Sequence, residues 1–310
     1  MGGTGGRFFR GKAPEQLQDQ IRQLEDDTRD QSFEVDVSST LGEYLSGFER
    51  RNAETETVNQ ALDEVKRSVQ ADIESSVDVR FGGSVRKHTY VDGISDVDTL
   101  LLLKDPTLRS QGPQAVLKYL EKHIHELLPT WEVSRGRLAI TLRRSGTELQ
   151  ILPAVHGEKG MRIPSANGDA WSKINPQAFF GALTRANEQC GGKLVPVIKL
   201  AKLVNDRQPA SVHLTGYHIE SLAIEVFKGY SGTYNPKAML EHFFKQASLR
   251  VLAPIKDRSG QSVHVDGYLG PAKGRNRQAV AAALDRVFRR MQNANANGDK
   301  QQWLEILEDE

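Results

Sequence analysis

The alternation of apolar and polar positions divides the chain into a strand-bearing first half and a helical second half. Val58, Leu62, Val65, Val69 and Ile73 recur at spacings of four and three, which predicts an amphipathic helix of about five turns. This helix leads into a short strand, Val77–Phe81, then a tight Gly82-Gly83-Ser84 turn and a polar connector. A second strand carries Asp96 and Asp98 and runs on through Leu100–Leu103, an apolar stretch long enough to cross a buried sheet. Residues 104–112 read as loop. A helix is predicted from Pro113 to Leu128, because proline suits a first helical turn and Pro129 supplies a stop. Arg137–Arg144 alternates as a strand, Ser145-Gly146 signals a turn, and Thr147–Pro153 alternates again, so the three form a β-hairpin. Beyond His156 the pattern is loop-like through Ser165 to Asp169. Helical spacing then recurs over 176–187, 193–205, 215–227, 236–247 and 277–291, with a Gly- and Pro-containing loop over 253–274.

Ahead of these elements, residues 1 to about 12 are Gly-rich and expected to be disordered. Ala13 to Gln31 is charged and helix-permissive but too poor in apolar positions to bury itself, which predicts a flexible arm or a helix docked on the body. From Ser38 onward, Leu41, Leu45 and Phe48 make one apolar face. The expected organisation is therefore α+β: an N-terminal arm (1–31), a core of mixed sheet and helices (32–165) and a C-terminal helical lobe (166–310), with a cleft between the last two.

Composition narrows the function classes. With 310 residues the chain can bury a substantial core. Its charges balance at a net +1, so neither a general electrostatic grip on nucleic acid nor a nucleic-acid activator is indicated. The single cysteine, Cys190, leaves no internal disulfide framework and no cysteine-rich zinc site. No apolar run approaches membrane-spanning length and the start lacks a secretory pattern, so a cytoplasmic protein with no membrane partner is expected. His123 and His125 stand two apart on a predicted helix and so face different directions, a poor arrangement for sharing a metal.

The candidate chemistry sits between the first two strands. Side chains alternate along a strand, so Asp96 and Asp98 are expected to share one direction, with Val97 opposed. Adjacent carboxylates repel unless a cation lies between them. Hard oxygen ligands beside a phosphate-sized Gly83-Ser84 turn suggest Mg²⁺ holding a nucleoside triphosphate.

Gly83-Ser84 followed by Ser95-Asp96-Val97-Asp98 resembles the signature of the nucleotidyltransferase superfamily that includes DNA polymerase β. More narrowly, the chain is similar to oligoadenylate synthases, cyclic GMP-AMP synthase and the bacterial cyclic-oligonucleotide synthases (CD-NTases) of CBASS anti-phage defence. The likeness extends from about Phe33 to about Met291. It implies a polymerase-β-like core with a C-terminal helical lobe, and a long N-terminal helix crossing behind both. The implied activity is Mg²⁺-dependent nucleotidyl transfer, with Mn²⁺ as an alternative ion. ATP, with GTP, UTP or CTP, would serve as substrate, and a cyclic di- or oligonucleotide would form to act on a separate downstream effector.

The resemblance also assigns roles. Asp96 and Asp98 bind the metals, and Ser84 with the turn's N–H groups holds the terminal phosphates. Val195-Pro196-Val197-Ile198-Lys199 resembles the helix bearing a triphosphate-contacting lysine, which places that role on Lys199, with Lys202 as the neighbouring alternative. Thr215-Gly216-Tyr217-His218 resembles a Ser-Tyr-His segment whose tyrosine stacks on the donor base and whose hydroxyls face phosphate. Thr215 and Tyr217 inherit these roles, and Gly216 lacks one hydroxyl. For Tyr217, an ordinary aromatic packing between the lobes is the competing reading. Ser262–Leu269 looks like a late segment common in the bacterial branch, with an architectural role.

One position departs from the pattern. The third metal-binding aspartate falls on Gln150 in Glu148-Leu149-Gln150-Ile151-Leu152-Pro153-Ala154. A neutral amide neither neutralises a cation as a carboxylate does nor acts as a base near neutral pH. Glu148, two positions earlier on the same strand face, is the candidate to complete the site; a disabled or binding-only protein is the competing reading. A template-independent RNA or tRNA nucleotidyltransferase shares the core motif, but needs a basic surface that the balanced charge does not favour.

Overall fold

The computed structural model describes residues 14–50, 60, 63–65, 67–68, 77–81, 97–103, 106–145, 147–157, 160–165, 167–260 and 262–308. Its centre is a seven-stranded sheet in the order β1-β2-β5-β4-β3, with β6 continuing from β5 and β7 pairing β6. The strands are β1 (Val77–Phe81), β2 (Val97–Leu103), β3 (Glu132–Arg135), β4 (Ile140–Arg144), β5 (Thr147–Gly157), β6 (Gly160–Pro164) and β7 (Trp171–Ile174). All neighbours run antiparallel except β2 and β5. A parallel pair needs a long crossover; here it is supplied by α2 (Pro106–Ser110), α3 (Pro113–Leu127) and the strands β3 and β4.

The hairpin expected at Ser145-Gly146 forms between β4 and β5, and Ser145 takes the left-handed conformation (φ 48°) that such a turn demands. Its first strand begins at Ile140 rather than Arg137. Three strands were not expected from the sequence. β3 has only partly buried or exposed positions, β6 occupies part of the stretch read as loop beyond His156, and β7 lies between that stretch and the helix expected from Pro176. The 104–112 segment also contains a short helix, α2, rather than loop alone. The three strands are hairpin partners of the strands next to them in sequence, held by ladder hydrogen bonds that a local apolar count does not register.

The sheet is covered on one face by α3, which buries Val116, Leu117, Leu120 and Ile124 against Leu101, Leu103, Leu149 and Ile151. Among the described residues, the opposite face, the front, carries a small cluster, Leu102 and Ala154 with Ile163 and Ile174.

Helices α4 (Pro176–Gln189), α5 (Leu194–Asp206), α6 (Gly216–Val226), α7 (Pro236–Arg250), α8 (Arg275–Asn297) and α9 (Lys300–Leu304) make the second lobe. Asn175, Thr215 and Asn235 cap α4, α6 and α7 by accepting a backbone N–H three residues on. Proline at the first turn of α4 and α7 adds to the same start signal. Helix α9 was not anticipated; it seats Trp303 in the core.

Helix α1 runs unbroken from Pro14 to Arg50. Its second half buries Val37, Leu41 and Leu45 in the core of the helical lobe, and Glu34 accepts from Lys237 Nζ at 2.7 Å. The expected helix over 58–73 is described only at 60, 63–65 and 67–68, all helical. There Val65 joins the core behind the sheet, and Glu64 receives both guanidinium nitrogens of Arg144 at 3.0 and 2.7 Å. The N-terminal region therefore packs on both lobes.

Candidate active site

Gly83, Ser84 and Asp96 lie outside the described residues. Asp98 is placed by its backbone: in the parallel β2–β5 pair it is the register partner of Gln150, and Val97 that of Leu149. Residues two apart on β5 share a face, so Glu148, Gln150, Leu152 and Ala154 line the front, while the fully buried Leu149 and Ile151 point into the back core. The sequence chooses this face by alternation: Leu149, Ile151 and Val155 are apolar and join the core that α3 covers. The positions of Asp98, Gln150 and Glu148 are thereby gathered on adjacent strands.

Glu148 is part-exposed, and its Oε2 accepts from Arg143 Nε at 2.7 Å across the β4–β5 ladder. Its Oε1 lies 3.5 Å from Gln150 Nε2, and Gln150 is in turn the register partner of Asp98. Among the described residues no group of three or more His, Cys, Asp or Glu side chains gathers as a metal site. The oxygens at Glu148 and Gln150, beside the Asp98 position, are nonetheless of the hard type that Mg²⁺ prefers, so the residues fit that ion.

The second group of candidates is on the helical lobe. Lys199 is half-buried on α5, between the buried Ile198 and Leu200. Lys202, the alternative for the same role, does not qualify: it is 2% exposed, and its Nζ donates to Glu220 Oε1 at 2.9 Å inside the lobe. An ammonium committed to a buried carboxylate is not available to a triphosphate. Gly216 sits directly above this pair, with the Lys202 ammonium 3.4 Å from where a Cβ would stand.

Thr215 and Tyr217 stand together at the start of α6. Thr215 is exposed; its Oγ1 accepts the His218 N–H at 3.2 Å, and its own N–H donates to the Tyr268 hydroxyl at 3.4 Å. The half-buried Tyr217 packs its ring on Phe179, with centroids 4.5 Å apart, and donates its hydroxyl to Asp257 Oδ1 at 2.7 Å. Burial, joined by the neighbouring Asp257 charge, pushes the Tyr217 phenol well above its ordinary range. Asp257 is buried, which works against its charge. Hydrogen bonds from Ser259, Tyr217 and Ser262 outweigh this and hold its carboxyl below the usual range.

Behind this surface lies a buried polar cluster that the sequence did not single out. Asp266 and Arg277 are both fully buried and paired at 2.7 Å, and Arg277 also donates to the carbonyls of Gly270 and Val251. His218 is likewise at 0% exposure, its Nδ1 2.8 Å from the Tyr268 hydroxyl. Nε2 has no hydrogen-bond partner and stands 3.7 Å from Asp266 Oδ2. The architectural role expected of Ser262–Leu269 is thus carried by Asp266. No local signal could have found the Asp257 and Tyr268 contacts, because their partners lie 40 and 50 or more residues away.

A mixed sheet with a parallel β2–β5 pair, beside a lobe of helices, is an architecture shared with solved polymerase-β-like synthases. Residues 36–187 match the model of the Second Messenger Oligonucleotide or Dinucleotide Synthetase domain. The fold is shared with solved bacterial CD-NTases. Escherichia coli MS115-1 CdnC, solved with ATP, aligns at TM-score 0.63 and 15% identity, covering 82% of this chain and 90% of CdnC. Vibrio cholerae DncV cyclic AMP-GMP synthase, solved with the linear intermediate pppA(3′,5′)pG, aligns at 0.62 and 11% identity, covering 95% and 90%. Bradyrhizobium diazoefficiens CdnG, solved with GTP, gives 0.62 and 17%, covering 80% and 88%. No curated protein matches the chain. Among the described residues no helix is long and apolar enough to cross a membrane.

Proposed function

We propose that this protein joins nucleoside triphosphates into a cyclic di- or oligonucleotide second messenger, in a Mg²⁺-dependent reaction that serves anti-phage defence. The observation that carries the reading is the β2–β5 register, which sets the Asp98 position beside Gln150 and Glu148 at the front of a sheet within the residues that match a second-messenger synthetase domain. Asp96, Asp98 and Glu148 would hold the metal. When bound, Mg²⁺ lowers the charge on the phosphates and favours ionisation of the acceptor hydroxyl. Glu148 takes part after leaving Arg143, a part-exposed pairing that costs little to open. Gln150 orients the Glu148 carboxylate through its amide. Gly83 and Ser84 bind the terminal phosphates, Lys199 the triphosphate, Thr215 the phosphates at the start of α6, and Tyr217 the donor base. The proximity of acceptor hydroxyl and α-phosphate supplies much of the rate. A soluble cytoplasmic setting, and action through a separate effector reached by the diffusing product, complete the reading.

Incubation with labelled NTPs and Mg²⁺, with and without RNA, tests it. The expected result is a small phosphatase-resistant product that does not depend on RNA and is lost in Asp98→Asn. Products that grow only on RNA would replace the reading with an RNA nucleotidyltransferase.

A second reading, a nucleotide-binding protein without turnover, is favoured by one observation: a neutral amide, Gln150, is the register partner of Asp98. It predicts NTP binding with no pyrophosphate release under any metal.

A further inference from the structure

The loop over 253–274 grips the start of α6 at two separate points. Asp257 is 4% exposed, and its carboxylate is saturated with donors. Oδ1 accepts from the Tyr217 hydroxyl at 2.7 Å and from Ser259 N–H and Oγ at 2.8 and 2.7 Å. Oδ2 accepts from Ser262 N–H and Oγ, both at 3.0 Å. The loop that presents this carboxylate is itself fixed. Val265 N–H donates to Ile255 O at 2.9 Å, Asn175 N–H at the start of α4 donates to Ser259 O at 2.7 Å, and Asp266 is locked to Arg277. The second grip is the Tyr268 hydroxyl, shared between Thr215 N–H and His218 Nδ1.

From this geometry we propose that Asp257 is a positioning residue for the donor base: by holding the hydroxyl it fixes the swing of the Tyr217 side chain about its Cα–Cβ bond, while Phe179 sets the ring plane, so that one orientation of the aromatic platform is available to a stacking purine or pyrimidine. The proposal rests on the reading of Tyr217 as the base platform given above. A tyrosine has two free side-chain torsions, and a platform that must be ordered on binding loses affinity relative to one already in place. Phe179 holds the ring from one side and the Asp257 hydrogen bond pins its far end, so both torsions are set before any nucleotide arrives. Because every acceptor site on Asp257 faces a donor from its own loop or from Tyr217, the carboxylate serves the ring and does not read the base itself.

The test compares a ligand that carries a base with one that does not. Affinities of a non-hydrolysable ATP analogue and of inorganic tripolyphosphate, each with Mg²⁺, are measured by calorimetry. The full-length protein is used, together with Tyr217→Ala, Tyr217→Phe and Asp257→Asn. Tyr217→Ala should weaken the ATP analogue by about tenfold or more, as loss of one aromatic–base stack does. Tyr217→Phe keeps the ring and deletes only its tether; it and Asp257→Asn should each weaken the ATP analogue by about fivefold, and the double variant should be no worse than either, because they remove one shared bond. Tripolyphosphate affinity should stay unchanged in all of them. Equal losses for both ligands would make the loop a general scaffold and overturn the proposal. So would full ATP-analogue affinity in Tyr217→Phe alongside a loss in Tyr217→Ala, which would leave the platform but remove the need for its tether. Unchanged affinity in Tyr217→Ala would instead sink the platform reading itself.

Discussion

Asp98 and Gln150 are register partners in the parallel β2–β5 pair of the sheet, and the Gln150 amide nitrogen lies 3.5 Å from the carboxylate of Glu148. The amide therefore stands beside two acidic positions where a third carboxylate is usual in the superfamily that the sequence resembles. With Glu148 as the third acid, Glu148→Gln is expected to lower turnover by about a hundredfold or more, the usual cost of losing a group that handles the transferred proton. Gln150→Asp should change it by less than about threefold, since it adds charge where one carboxylate already acts. Pyrophosphate release under saturating NTP and Mg²⁺ reads both. A silent wild type switched on by Gln150→Asp would instead favour the non-catalytic reading.

Lys202 and Glu220 form an ion pair with side chains 3% and 1% exposed. Removing one member strands the other charge in the core, so Lys202→Ala should destabilise the protein by about 3–5 kcal/mol. Replacing both with methionine and leucine should recover most of that loss, because the desolvation cost disappears with the pair. Urea unfolding of the two variants checks the contrast. Similar losses in both would mean that packing, not the stranded charge, dominates.

His218 carries a pH dependence. Burial pulls its imidazole down to about 4 from an ordinary 6.5, with the nearby Arg277 charge adding to the effect and Asp266 opposing it. Between those values the unfolded chain binds a proton that the folded one refuses, so stability rises with pH across this window and is lost as pH falls through it. From about pH 7 to about pH 5 the loss amounts to about 2 kcal/mol. His218→Gln should flatten this slope without removing the steeper loss at lower pH. There Asp266 gives up its charge: its carboxyl, opposed by burial but held by Arg277 and the Ile255 N–H, stays below the ordinary range. Equal slopes in wild type and variant would exclude His218 as the source.

Arg144 joins the N-terminal helical segment to the sheet through a bidentate pairing with Glu64, and its guanidinium lies 4.1 Å above the Trp131 ring. The pairing is about one-third exposed, which limits its worth in water. Arg144→Lys keeps the charge but loses the planar fork and the stacking, and should cost about 1 kcal/mol. A thermal melt measures it. An unchanged midpoint would mean that Val65 packing alone holds the segment.

Local chemistry determined a good part of this molecule. The run Leu100–Leu103 could only be a buried strand, Ser145-Gly146 only a turn, and prolines with asparagine caps set the starts of α4 and α7 within a residue or two. The acidic pair beside the Gly-Ser turn carried the resemblance to second-messenger synthetases, and residues 36–187 match that domain model, although Gly83, Ser84 and Asp96 lie outside the described residues. Pairing across distance decided the rest. Whether Gln150 would stand beside Asp98 depended on a parallel register bridged by more than forty residues, and no periodicity within β2 or β5 encodes it. Strands β3, β6 and β7 are, by contrast, hairpin partners of the strands next to them in sequence, held by their ladders rather than by their composition. Lys202 and Lys199 look alike in the chain, three residues apart on one helix, and only the carboxylate of Glu220 on a neighbouring helix draws the former out of reach. Hydrophobic spacing is a property of neighbours along the backbone, whereas the partner of a polar side chain is fixed only when separate elements pack.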